Sequence, residues 1–140
     1  MPLHSPEACV IGEPTGSDGV AISYRGRILF DIKGEDDGAH RSGSPGPITD
    51  SVMAASSIID ITRNMGKGYS VAIMEMEGHE AGKRSASITM DLRTPLGADQ
   101  EELELMIRET SAAFGVRSEI IEYVPPYGVH KSDPVIRAFR

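Results

Sequence analysis

Three polar side chains, Glu13, His40 and Arg93, stand in local sequences that could support chemistry. Glu13 lies in "GEPT", between the end of a short apolar run and Pro14. Proline fixes its own φ and drives the preceding residue toward extended geometry, so the Glu13 carboxylate is held stiffly. A stiff carboxylate suits a metal or cation ligand, whereas a solvated loop acid is the plainer alternative. The motif alone leaves both interpretations open.

His40 lies in "GAHRS", where its neighbours Gly38, Ala39 and Ser42 are all small. Small neighbours leave the imidazole free to reach outward to a substrate or to another chain, whereas most loop histidines are simply solvated. The other histidines show no spacing, with one another or with acids, that is typical of a zinc site. His40 is therefore the histidine that we select as a candidate for catalysis.

Arg93 lies in "DLRTP", at the end of an alternating apolar and polar stretch that stops just before Pro95. Its guanidinium could present a fork of donors to a substrate carboxylate. The alternative is a surface ion pair with Asp91, which would contribute roughly a few tenths of a kcal/mol. Arg93 is thus a candidate for substrate binding, with a structural alternative beside it.

Strands are predicted where apolar residues alternate with polar ones, because successive side chains of a strand point to opposite faces. Two stretches show this pattern, and their apolar sides are Ile28, Phe30 and Ile32 in the first and Ala86, Ile88, Met90 and Leu92 in the second. A shorter strand over 20–24 precedes the first, with a corner at Arg25 and Gly26. Segments 69–77 and 116–124 predict two further strands.

A first helix is predicted after the polar, Gly- and Pro-rich loop "EDDGAHRSGSPGPITD". Its apolar face comprises Val52, Ala55 and Ile59 at helical spacing. Thr49 or Asp50 is placed to cap its start, and Gly66 stands where a left-handed residue would end it. The loop before it is long for a simple connection, and long loops in compact domains are often functional.

A second helix is predicted to begin at Asp99, which forms an acidic capping-box pattern with Glu102. Its apolar stripe consists of Leu103, Met106, Ile107, Thr110 and Phe114. Gly115 is placed to end it. This helix has clear signals at both of its ends and along one face.

The predicted order β-α-β-β-α-β is that of an α+β, ferredoxin-like two-layer sandwich. We expect a four-stranded antiparallel sheet with two helices on one face. Residues 18–125 would form this domain, while 1–17 look like a stub of a missing domain. Residues 126–140 look like a linker and the start of a further helix, with Ser132 or Asp133 as its cap and Pro134 in its first turn.

The composition predicts a soluble intracellular domain. The net charge of −7 argues against nucleic acid or an anionic membrane as the main partner. Cys9 is the single cysteine, which favours a reducing cytoplasm. The sequence has no apolar run long enough to span a bilayer, and it lacks the layout of a signal peptide. A serine-hydrolase elbow and a phosphate-binding loop are also missing.

Four stretches, in this order, resemble one known family. They are "VIGEPTG", "YRGRILFDIKGEDDGAHRS", "MDLRTPLGADQEEL" and "SDPVIRAF". Together they are similar to the lid (dimerisation) domain of the zinc-dependent exopeptidases and deacylases. That family includes acetylornithine deacetylase, succinyl-diaminopimelate desuccinylase, acetyl-lysine deacetylase and glutamate carboxypeptidases. The resemblance runs from about residue 8 to residue 139 and implies the same ferredoxin-like fold.

The resemblance also implies a role for each candidate residue. Glu13 matches a glutamate that binds one of two zinc ions. His40 matches a histidine that reaches across the dimer into the partner's active site, where it polarises the scissile carbonyl and stabilises the oxyanion. Arg93 matches an arginine that grips the substrate carboxylate. The whole enzyme would use zinc or cobalt to hydrolyse the amide bond of N-acyl amino acids or small peptides.

The remaining zinc ligands and the general base of that family have no counterpart in this sequence. One ligand cannot hold zinc, so we expect the chain alone to bind none and to be inactive. Its expected partners are a second copy of itself and a catalytic domain. Two alternatives remain: a stand-alone module that binds small carboxylates, and an assembly partner for a separately encoded catalytic chain.

Overall fold

The computed structural model describes residues 21–38 and 45–138, which form a four-stranded antiparallel sheet with helices packed on one face. The elements in chain order are β1 Ser23–Tyr24, β2 Gly26–Asp36, α1 Pro47–Asn64, β3 Ser70–His79, β4 Arg84–Thr94, α2 Gln100–Ala113, β5 Arg117–Val124, β6 Tyr127–Gly128 and α3 Pro134–Ala138. The strand order in the main sheet is β3-β4-β2-β5. The predicted α+β, ferredoxin-like sandwich is confirmed.

The two central strands, β2 and β4, pair along their whole length. The ladder runs from Gly26 opposite Thr94 to Asp36 opposite Arg84. β5 pairs with β2, and β3 pairs with β4. The outer strands β5 and β3 therefore form the two edges of the sheet. The sheet therefore has a well-paired centre that fixes the position of every side chain on β2 and β4.

The core lies between the sheet and the helices. Ile28, Phe30 and Ile32 of β2 are fully buried there, as the alternation predicted. The facing residues are Ile88, Met90 and Leu92 of β4, Ala54, Ala55 and Ile58 of α1, and Leu103 and Ile107 of α2. Burial of each large apolar side chain contributes about 1.5–3 kcal/mol, so this layer holds the polar opposite face in place.

The predicted cap of α2 is confirmed, because Asp99 Oδ1 accepts a hydrogen bond from the Glu102 amide at 3.1 Å. The predicted cap of α1 is wrong. That helix begins at Pro47, with Gly46 as its N-cap, rather than at Thr49 or Asp50. Pro47 has the φ of the first helical turn already set and lacks an amide that would need a partner, so the helix extends back to it.

The short strand β1 does not join the main sheet. Tyr24 pairs with Tyr127, and the Val129 amide donates to the Ile22 carbonyl at 2.8 Å, so β1 and β6 form a separate two-stranded ribbon. Gly26 allows the corner between β1 and β2, since a Cβ there would clash with Thr94 Oγ1 and Pro126.

The first turn of α3 follows the prediction, because Asp133 Oδ1 accepts a hydrogen bond from the Val135 amide at 2.9 Å. Pro134 is the first residue of α3. Among residues 21–38 and 45–138, no helix is both long enough and apolar enough to cross a bilayer.

Candidate functional site

Of the three residues singled out by sequence, Arg93 lies in the described part of the chain. Glu13 and His40 fall outside residues 21–38 and 45–138, so their proposed roles remain predictions. The candidate site is therefore built around Arg93 and the sheet face that carries it.

Arg93 lies near the end of β4, between Arg27 of β2 and Ser70 of β3. Its chain neighbours Leu92 and Thr94 are buried on the helix side of the sheet. Alternation along the strand therefore turns Arg93 to the opposite, polar face. Its side chain is 42% exposed, which leaves much of the guanidinium open to solvent.

One carboxylate joins two guanidinium groups on this face. Asp91 Oδ2 lies 2.9 Å from Arg93 Nη2 and 3.2 Å from Arg27 Nε. Arg27 extends the cluster to β5, because its Nη1 donates to Glu122 Oε2 at 2.9 Å. The Asp91 side chain is only 7% exposed, and the two cations offset the cost of burying its charge.

This arrangement orients Arg93 without using all of its donors. Within the described ranges, Nη2 is the Arg93 nitrogen that has a protein partner, and a guanidinium has five N–H donors. The remaining donors can receive a carboxylate in a bidentate manner. The Asp91 pair, considered from sequence as the structural alternative, is thus present and compatible with a binding role.

The middle of the polar face is occupied by a second network. Lys33 Nζ lies 2.8 Å from Glu119 Oε2 and 3.0 Å from Asp31 Oδ2. The hydrogen bond to Glu119, followed by that to Asp31, raises the pKa of Lys33 above its usual range. Thr89 Oγ1 donates to Asp31 at 2.7 Å. Lys33 is therefore committed to two carboxylates, and Arg93 is better placed to meet an external anion.

Asp36 and Arg84 form an ion pair at the end of the β2–β4 ladder that lies opposite to Arg93, and local sequence patterns did not predict it. Arg84 Nε donates to Asp36 Oδ1 at 2.8 Å, and Arg84 Nη2 donates to Asp36 Oδ2. The Arg84 side chain is 5% exposed. The Gly38 amide also donates to Asp36 Oδ1, at 2.9 Å. The pKa of the Asp36 carboxyl is lowered, chiefly by its hydrogen bond from Arg84.

In the part of the chain described, no group of three or more His, Cys, Asp or Glu side chains is arranged to hold a metal ion. Asp31, Asp91, Glu119 and Glu122 on the sheet face instead form ion pairs with Lys33, Arg27 or Arg93. These residues do not fit a zinc centre, which needs three or four converging ligands.

The outer side of β3 forms what we call the β3 edge surface. It comprises Ile73, Met74 and Met76 of β3 and Val52 of α1, all of them exposed. Within the described ranges, β3 pairs on one side only, with β4. Gly78 lets α1 pack close to this strand, since a Cβ there would lie 2.6 Å from Ile48 Cδ1. An apolar, unpaired edge of this kind is a template for pairing with another chain.

No protein-family model matches the chain. A LysW-lysine/LysW-ornithine hydrolase of Thermococcus kodakarensis is 30% identical over 142 residues, which cover 96% of this chain and 35% of the hydrolase. A hydrolase of the same name from Aeropyrum pernix is 31% identical over 109 residues, covering 68% of this chain and 30% of its own. The chain thus spans about a third of the length of the curated relatives it matches.

The fold also resembles that of solved structures whose chains are much longer than this one. A di-peptidase from Saccharomyces cerevisiae matches with a TM-score of 0.62 at 12% identity, over 84% of this chain and 40% of the di-peptidase. That likeness establishes the fold alone. The sequence matches to hydrolases agree with the family resemblance of the four sequence motifs. The chain belongs to the family of zinc-dependent exopeptidases and deacylases, and it has the fold of that family's lid (dimerisation) domain.

Proposed function

We propose that this chain is the lid and dimerisation domain of a metal-dependent hydrolase that cleaves the amide bond of N-acyl amino acids or small peptides. One observation carries the proposal: nearly the whole chain matches about a third of a much longer hydrolase. The other two thirds of such a protein would supply the catalytic domain. On its own, the chain would bind no metal and catalyse no hydrolysis.

Three residues would act in the complete enzyme. Arg93, oriented by Asp91 at 2.9 Å, would bind the substrate carboxylate through the donors that have no partner among the described residues. His40 would reach the active site of the other subunit and stabilise the oxyanion, and Glu13 would bind zinc or cobalt, as the family resemblance implies. Arg93 would supply binding energy and alignment, while the metal would supply the activated water.

The β3 edge surface would be the dimer contact. Two copies of an exposed edge strand can pair antiparallel about a two-fold axis, which makes one continuous sheet from two. The apolar side chains of β3 and α1 on this side would be buried by the same contact. Dimerisation would also bring His40 of one copy toward the other copy's catalytic domain, which is why the lid and dimer roles belong together.

An activity assay with added zinc or cobalt tests the first half of the proposal. The purified chain should give no turnover of N-acetyl amino acids or dipeptides above a buffer blank. Mixing it with the separately produced catalytic part of a relative, such as the T. kodakarensis hydrolase without its own matching segment, tests the assembly-partner alternative. Turnover by the chain alone would overturn the proposal.

The exposed donors of Arg93 favour a second candidate, a stand-alone module that binds small carboxylates. Isothermal calorimetry with amino acids and N-acetyl amino acids separates the two. A lid domain holds one side of the substrate site and should show no measurable heat, whereas a binding module should show saturable binding that Arg93→Ala abolishes. Saturable binding by the isolated chain would favour the module.

A further inference from the structure

Arg25 lies at the corner between β1 and β2, and its side chain reaches across the end of the sheet. The next residue, Gly26, pairs with Thr94 of β4. Arg25 Nη1 donates to Ser70 Oγ of β3 at 3.0 Å. Because β4 lies between β2 and β3, the Arg25 side chain crosses the end of β4 to make this hydrogen bond. Its guanidinium therefore lies at β3, although its backbone adjoins β2.

The contact with Ser70 brings Arg25 beside Arg93. Ser70 and Arg93 are direct partners in the β3–β4 ladder. Side chains at directly opposite positions leave the same face of a sheet, from Cα atoms roughly 4.5–5.5 Å apart. Arg25 is exposed and the Arg93 side chain is 42% exposed, so a ligand in solution can reach both of them at this end of the polar face.

Arg25 differs from the other two arginines at this end of the sheet because its partner is neutral. Arg27 and Arg93 share the carboxylate of Asp91, and Arg27 also meets Glu122. Among residues 21–38 and 45–138, Arg25 has no carboxylate within ion-pair distance, and its hydrogen bond goes to a hydroxyl group. The cluster thus holds three cations and two carboxylates, a net charge of +1 in a chain whose net charge is −7.

A carboxylate bound between Arg25 and Arg93 would complete this cluster. Like charges at neighbouring positions of a sheet repel each other, and an anion between them removes that repulsion. Arg25 uses Nη1 and Arg93 uses Nη2, so each guanidinium keeps other donors that have no partner among the described residues. The two oxygens of a carboxylate have enough acceptor positions to bind both groups at once. The single negative charge of a carboxylate also neutralises the cluster.

We propose that Arg25 and Arg93 form a paired site for one carboxylate group, which makes Arg25 a second substrate-binding residue. The identity of this group with the substrate carboxylate rests on the function proposed above, whereas the site itself does not. Two guanidinium groups on one carboxylate fix its plane as well as its position. The site favours ligands with a charged carboxylate over the corresponding amides, which have no charge.

NMR titration of the 140-residue chain with sodium acetate tests the site, with sodium chloride of equal ionic strength as the reference. The Nε–Hε signals of Arg25 and Arg93 should shift saturably with acetate and should stay in place with acetamide. A site that holds a small ligand from one side binds it weakly, so we expect a midpoint above about 1 mM. That affinity is weaker than the binding that the calorimetric test is designed to detect.

The variant Arg25→Gln removes the second guanidinium group. It should raise the acetate midpoint measured at Arg93 about tenfold, because a charge-assisted hydrogen bond to the ligand is lost. The matched control is Arg108→Gln, which removes the same charge from an exposed position of α2, on the helix side of the sheet. Because distant exposed charges are screened by salt, the control should leave the midpoint within a factor of about two.

Three results would overturn the proposal. The first is an Arg93 signal that acetate moves no more than chloride does, and the second is an equal change of midpoint in the two variants. The third is a succinate midpoint more than about tenfold below that of acetate, because each arginine would then bind a carboxylate of its own. None of these measurements needs a metal, a catalytic domain or a dimer. A failure here would leave the lid assignment standing, whereas turnover by the chain alone would overturn the proposed function and leave this site in place.

Discussion

Arg93 Nη2 lies 2.9 Å from Asp91 Oδ2, and this contact orients the guanidinium along the polar face of the sheet. The same oxygen also holds Arg27, so a single, nearly buried carboxylate connects the two central strands of the sheet. Asp91 on β4 therefore restrains the Arg93 side chain, whose guanidinium remains partly exposed to solvent. This contact limits the rotamers that Arg93 can adopt before it meets an anion.

Replacement of Asp91 by Asn should destabilise the domain, because Arg27 and Arg93 would then lie close together with no negative charge between them. We expect a loss of about 1–3 kcal/mol in the free energy of unfolding, measured with urea at neutral pH. The control is Glu122→Gln, which removes the exposed partner of Arg27 and should cost less than about 1 kcal/mol. Equal losses in the two variants would contradict the central role of Asp91.

Replacement of Arg93 by Ala should cost less than loss of a core side chain, because Asp91 keeps its ion pair with Arg27 but loses a hydrogen bond at a nearly buried carboxylate. A loss of about 1–3 kcal/mol in unfolding free energy is expected. Phe30→Ala, which removes a fully buried side chain of the neighbouring strand, should cost about 3–5 kcal/mol by the same denaturation measurement. A large loss for Arg93→Ala would mean that this residue serves the fold rather than a ligand.

The Asp36–Arg84 pair makes stability depend on pH in the acid range. Because the pKa of Asp36 is lowered below its usual value of 3.8, the pair contributes fully above that value. The contribution is lost as the pH falls through the lowered pKa. The difference in thermal midpoint between the native chain and Asp36→Asn should therefore be constant above about pH 5 and shrink below about pH 4. A difference that grows on acidification would contradict this assignment.

The N-cap of α2 gives a local test of a feature predicted from sequence. Asp99→Ala removes the acceptor of the Glu102 amide and should cost about 0.5–2 kcal/mol of unfolding free energy. Asp133→Ala removes a similar bond from the Val135 amide at the start of the five-residue α3, outside the sandwich, and is the matched control. It should leave the main unfolding transition of the sandwich unchanged.

Local patterns predicted the features that depend on residues close in sequence. The alternation that predicted β4 also placed Asp91 and Arg93 two residues apart on one face, and the structure joins them. The cap at Asp99 depends on a three-residue spacing and was equally readable. Hydrophobic periodicity was enough to separate the helix-facing side of the sheet from its polar side.

The features that sequence reasoning missed depend on register between distant strands. Arg27 joins Asp91 because β2 and β4 pair at that level, which no local pattern specifies. The Asp36–Arg84 pair spans 48 residues, and β2 was expected to end before Asp36. The cap of α1 was misplaced because Thr49 and Asp50 are good capping residues, while the rigid φ of Pro47 started the helix earlier.

The self-association of the chain tests the central claim, that this is a dimerisation domain, most directly. Sedimentation equilibrium should give twice the mass of one chain for the native protein and a monomer for Met76→Glu, which places a charge on the β3 edge surface. Ile121→Glu is the matched control, because Ile121 is 51% exposed on the opposite edge strand β5 and Met76 is 52% exposed on β3. It should remain a dimer. A native chain that is monomeric at all concentrations, or a dimer lost equally in both variants, would contradict the account.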